Sequence, residues 1–159
     1  MKITNKIFSV ASCLVALAIC SNAYADGEQI INKSGTFTSA KGQNTFTGNV
    51  RVDRIFLANE DAPYSASYVT FEPGARSFWH THPAGQHLIV TYGQGLTGTE
   101  DGKVQEFSVG DEIWCPPNVK HWHGAKPDQA MTHIAITGVV DGKGATWLEE
   151  VTDEQYNLK

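Results

Sequence analysis

Five of the six histidines fall into three short stretches that each read as a strand: His80 with His82, His121 with His123, and His133 alone. Side chains two apart on a strand point to the same face. Each of the first two stretches therefore presents a pair of imidazoles to one side, the arrangement of a metal cup. Imidazole suits Zn, Cu, Fe and Ni and also serves Mn, so the cluster specifies a transition metal before it specifies which one. A chain built this way must bring several strands together over one polar centre.

The rest of the pattern agrees with an all-β domain. Residues 45–52 and 65–71 alternate in the strand manner, and Glu72-Pro73-Gly74 follows as a turn. Leu88 to Tyr92 reads as a buried strand, Glu100-Asp101-Gly102-Lys103 as a hairpin turn, and Val104 to Val109 as its return. A further strand, Glu112 to Cys115, is stopped by Pro116-Pro117. Short strands with turns every eight to twelve residues or so point to a sandwich or barrel. Only the end has a helical signal, the capping-box spacing of Thr152 and Gln155.

Residues 1–25 read as a signal peptide. Lys2 and Lys6 make a basic start, Ile7 to Ile19 is a 13-residue apolar run, and Ala23-Tyr24-Ala25 places small residues where a signal peptidase reads, giving cleavage after Ala25. The run is shorter than the roughly 20 residues a spanning helix needs. Cys20 would serve a lipoprotein, but bulky Ile19 stands where a small residue is expected. The expected location is therefore periplasmic or secreted, with no membrane association after cleavage. Residues 26–44 read as a loose arm and 45–159 as the single folded domain.

Losing Lys2 and Lys6 takes the formal charge from -5 to -7. That acidic balance argues against nucleic acid as a partner. Cys115 remains as the single thiol, so no internal disulfide forms, and a small buried hydrophobe is its expected role. His87 faces outward by parity. Trp79, Trp114 and Trp122 are read as core or subunit-contact aromatics, and Trp147 as packing the tail.

Two motifs then match a family. Gly74, His80-Thr81-His82, Gln86 and Gly93 resemble the first cupin motif, with Gln86 where most members carry Glu. Gly110, Pro116-Pro117-Asn118 and His121 resemble the second, with Asn118 replacing Gly and Ala125 replacing the usual terminal Asn. Asn tolerates the left-handed backbone a Gly would adopt there. The resemblance implies a single-domain cupin, a double-stranded β-barrel or jelly roll with metal in its mouth. From about Phe46 to Tyr156 the chain resembles the bacterial manganese cupins that act as hydroxynitrile lyases, and it is also similar to cupins associated with carboxymuconolactone decarboxylases. This implies His80, His82, Gln86 and His121 as metal ligands and His123 and His133 as cavity-lining groups. It also implies Ser67, Val69, Phe78, Leu88 and Thr137 as pocket wall, one divalent ion per chain with manganese favoured over Fe, Zn or Ni, and a homo-oligomer.

The residues themselves support Lewis-acid chemistry on a small-molecule substrate. Three neutral imidazoles and a neutral amide leave an ion its full double charge, and an octahedral ion would keep about two open positions. His123, on the same strand face as His121, suits the role of base; His133 is the second candidate. Gln86 serves either as ligand or as a hydrogen-bonder beside the ligands. Fold membership does not fix a reaction. A cyanohydrin lyase, another small-metabolite cupin enzyme (oxygenase, isomerase or decarboxylase-associated) and a non-catalytic metal or ligand binder all fit.

Overall fold

The computed structural model describes Ile31 and residues 45–157. The expected signal peptide and nearly all of the expected arm lie outside the described residues.

Antiparallel strands make a barrel of two facing sheets. In one sheet β2 (Val50–Phe56), β3 (Tyr64–Phe71), β10 (Met131–Gly138), the first half of β6 (Gln86–Thr99) and β8 (Glu112–Cys115) lie side by side. In the other, β1 (Phe46–Thr47), β4 (Arg76–Ser77), β9 (His121–Ala125), the second half of β6 and β7 (Val104–Ser108) follow one another. Two short strands extend the second sheet: β5 (His80–Thr81) joins β9, and β11 (Thr146–Trp147) joins β5. A short helix, α1 (Asp153–Tyr156), ends the described chain.

β6 passes from one sheet to the other at Gly93. Its φ is +73°, and a Cβ there would sit 1.8 Å from the Ala130 carbonyl oxygen. A side chain is excluded on both counts, so the corner that closes the barrel requires glycine. The cupin-motif substitution at Asn118 behaves as expected, with φ +62°.

Alternation along β3, β6 and β10 sends Val69, Phe71, Leu88, Val90, Met131 and Ala135 into the space between the sheets. Phe71 has no exposed surface, and its truncation to Ala would cost about 3–5 kcal/mol. A second cluster, Trp79, Leu96, Trp122, Val151 and Tyr156, lies on the other face of β9. Here the carboxy-terminal segment closes over the sheet. Arg76 donates from Nε and Nη2 to the Val151 carbonyl at 3.1 and 2.9 Å, and Tyr156 Oη donates to the Ala125 carbonyl at 2.7 Å. The Thr152–Gln155 capping box is present and starts α1.

Several expectations change in detail. The run 45–52 is broken by a bend at Gly48 and Asn49 into β1 and β2. Leu88 to Tyr92 is part of a 14-residue strand whose first half has one wet face, because Ile89 is 38% exposed between buried Leu88 and Val90. Consecutive apolar residues had read as two buried faces. Trp147 does not pack the tail: β11 sets it beside His80, with ring centroids 4.7 Å apart. Trp79 and Trp122 are core, whereas Trp114 is an exposed aromatic against His87.

Candidate metal centre and its cavity

Three strands or strand ends bring the histidines together. Register places His80 of β5 opposite His121 of β9, and His82 follows just beyond β5. One possible ligand atom from each of His80, His82 and His121 lies within 4.8 Å of the other two, and all three residues are buried. Each ring is fixed by its Nδ1, which donates to a backbone carbonyl: His80 to Phe78 at 2.9 Å, His82 to Gly144 at 2.7 Å and His121 to Val119 at 2.9 Å. This assignment follows from the chemistry, since a carbonyl can only accept. It leaves Nε2 of each ring as a lone pair.

Among the described residues, two of those lone pairs, on Nε2 of His82 and of His121, are buried and have no partner, and neither has Oε1 of Gln86. Gln86 donates its Nε2 to Thr137 Oγ1 at 2.7 Å, which fixes the amide with its oxygen free. Buried polar atoms left unpaired cost on the order of 1–3 kcal/mol each. A divalent cation would satisfy all of them, and the carbonyl-held Nδ1 is the usual way a ligating imidazole is oriented. The donor set therefore fits a metal of the type that binds nitrogen and neutral oxygen.

Burial keeps the rings unprotonated. Desolvation pushes His80 well below its ordinary value, helped by the neighbouring His121 and His82, and the same cause lowers His82 and takes His121 to about 4. Metal ligation requires this neutral form. Cys115, raised to about 12 by burial and by Glu112, stays an inert thiol.

His123 and His133 form a different unit. His133 Nε2 and His123 Nδ1 are 3.1 Å apart in a fully buried contact, so one donates and the other accepts. Phe71 touches both rings. Burial holds His123 well below its ordinary value and His133 at about 3. His123 lines the cavity beside His80, 5.2 Å between ring centroids, and His133 sits behind it with no exposed surface.

The cavity holds about 360 Å³. His80, His82, Gln86 and His123 form its buried end, and Ser67, Val69 and Thr137 are in its wall. Leu88 packs in the core instead, and Phe78 is not among the lining residues; its carbonyl orients His80. His121 and His133 also stand behind the lining. Sequence reasoning missed Phe46, Arg54, Leu57 and Trp147, which line the outer part. Period-2 alternation offers a signal for Arg54, two residues from the lining residue Val52 on β2. No local signal offers Trp147, which reaches the cavity by pairing with β5.

These features define a class: an antiparallel β-barrel whose mouth carries a three-histidine, one-amide centre prepared for a metal. Residues 67–137 match the model of the cupin domain (Cupin_2). An (R)-mandelonitrile lyase from Granulicella tundricola is 53% identical over 127 residues, which span 79% of this chain and 97% of that protein. A cupin-like protein from Thermotoga maritima is 40% identical, with a TM-score of 0.68 over 80% of this chain and 95% of the other. A polyketide cyclase from Streptomyces resistomycificus, 11% identical with a TM-score of 0.62 over 81% and 91% of the two chains, shares the fold alone. The chain belongs to the cupin family.

Proposed function

We propose that this protein is a metal-dependent lyase that cleaves or forms cyanohydrins. The observation that carries the reading is a neutral histidine, His123, lining the cavity beside His80, His82 and His121, whose possible ligand atoms lie within 4.8 Å of one another. The similarity to a mandelonitrile lyase supports the reaction class. His80, His82, His121 and Gln86 would hold one divalent ion, manganese by resemblance. When bound, such an ion supplies Lewis acidity that makes a substrate hydroxyl easier to deprotonate.

The chain's own residues do the rest. With His123 Nδ1–H donated to His133 Nε2, the remaining nitrogen of His123, Nε2, offers a lone pair to the cavity. It accepts the cyanohydrin hydroxyl proton; the oxygen electrons form the carbonyl, and the carbon–carbon pair leaves with cyanide. Returning that proton to cyanide gives hydrogen cyanide and restores neutral His123. A positioned base of this kind contributes typically about 10²–10⁴-fold. Ser67, Val69 and Thr137 shape the space around the substrate.

The proposal includes export, with a cut after Ala25, and a homo-oligomer. The second is supported by an outer sheet face where Tyr68, Ile134 and Ile89 lie in one cross-strand row, flanked by exposed Tyr92 and Trp114. The test of the reaction is cyanide release from mandelonitrile by manganese-loaded protein of measured metal content. Release well above buffer is expected; release equal to buffer would end the lyase reading and leave another small-metabolite cupin activity in its place.

A further inference from the structure

Arg54 carries the only charge among the described residues that line the cavity, apart from the neutral histidines. It is exposed, whereas His80, His82 and His123 are buried, so it stands at the outer end of the space they close. The chain has three arginines. Arg51 pairs with Asp53 at 2.7 Å, and Arg76 binds Asp153 at 2.7 Å as well as Val151. The Arg54 side chain makes no hydrogen bond or ion pair with any described residue.

An unengaged guanidinium is unusual in so acidic a chain, where carboxylates outnumber bases by five. No aspartate or glutamate is among the lining residues to oppose it. Ser67, directly opposite Arg54 in the β2–β3 register, adds a hydroxyl at the same place. Phe46, Leu57 and Trp147 supply apolar wall. The cavity is thus cationic outside, apolar along its sides and rich in nitrogen and oxygen lone pairs within. A guanidinium offers a planar fork of donors matched to a carboxylate, and a cleft lined by one sign of charge concentrates ions of the other.

We infer that the cavity takes small molecules carrying a carboxylate at the end remote from the histidines, held by Arg54 while the other, oxygen-bearing end reaches His80, His82 and Gln86. This rests on the lyase reading and names its substrate class: carbonyl compounds, and their cyanohydrins, with a distal acid group.

Isothermal titration calorimetry on the manganese-loaded full chain, with 4-formylbenzoate and the uncharged 4-formylbenzamide, tests it. The two probes share the aldehyde and the ring and differ in charge at the far end. The acid is expected to bind roughly tenfold more tightly than the amide, the worth of a charge-assisted hydrogen bond, with the preference shrinking as salt is raised. Arg54→Gln should abolish the preference, chiefly by weakening binding of the acid, and Arg54→Lys should keep part of it. Equal binding of the two probes, binding of neither, or a preference that survives Arg54→Gln would overturn the inference. Cyanide release measured in parallel separates the two readings: a preference that depends on Arg54 without lyase activity supports the carboxylate site and ends the lyase.

Discussion

Two groups of histidines share the interior of this barrel, and they differ in what holds each ring. In His80, His82 and His121 the Nδ1 atoms donate to backbone carbonyls, so the lone pairs gather at one place. In His123 and His133 the rings are tied to each other, which leaves a proton able to reside on either side of the contact. Burial is the same for both groups, and His121 and His123 even lie on the same strand. The difference teaches that the partner of the second ring nitrogen, and not residue type, separates a ring whose lone pair is left free for a metal from one tied into a pair that shares a proton.

The strongest way to break that comparison is to remove ligands. The double variant His80→Ala/His121→Ala should lose nearly all bound metal by elemental analysis, because each histidine would supply a direct bond and the remaining donors could not close the gap. Full occupancy would show that the first group is not the metal site. His123→Ala should retain metal and lose about 10²–10⁴-fold in the rate of cyanide release. Wild-type activity in that variant would make His123 structural and pass the role of base to His133.

A pH titration sharpens the comparison next. In the folded, metal-free protein His121 sits at about 4 and His133 at about 3, both below the unfolded value of about 6.5. As pH falls the unfolded chain therefore takes up protons first. Stability is fully present above about pH 6.5 and declines from there down to about pH 4 and then 3, by on the order of 3 kcal/mol for His121 alone. Urea melts should show this slope, and manganese should oppose it while the ligands remain neutral. A flat profile through that window would mean that the rings are hydrated.

Smaller effects follow at the periphery. Thr137→Val removes the hydroxyl that fixes the Gln86 amide, and metal affinity should fall about 10–100-fold in a competition titration with a chelator. An unchanged affinity would make Gln86 a neighbour of the centre and not a ligand. His87→Ala should change stability by no more than about 0.5 kcal/mol and leave metal content intact, because the His87–Glu112 pair is half exposed.

Much of the site was legible because strand parity is a local rule. The spacing of His121 and His123 placed both on the inward face of β9, and the motif around His80, His82 and Gln86 marked the rest of the centre. Parity said nothing about Trp122 between them, which is equally buried because Tyr156 packs against it from the carboxy-terminal segment. The family resemblance, not parity, implied Leu88 as pocket wall, although Leu88 does share a face with Gln86. The cavity ends before Leu88, where Val69 and Ala135 have already closed the core around it.

By itself the sequence determined the class of fold, the corner glycine, the capping box and the histidines that gather at the centre. Each is written in residue type and short spacing, where backbone sterics and the two-residue repeat act over a few positions. Tertiary structure alone decided which ring nitrogen each histidine leaves free, for His82 depends on the Gly144 carbonyl 62 residues away. It also decided that Trp147 and Arg54 share one mouth, because β11 pairs with β5 while β2 borders the opposite sheet. Pairing between distant strands is set by how the whole barrel buries its apolar faces, and no local pattern carries that information.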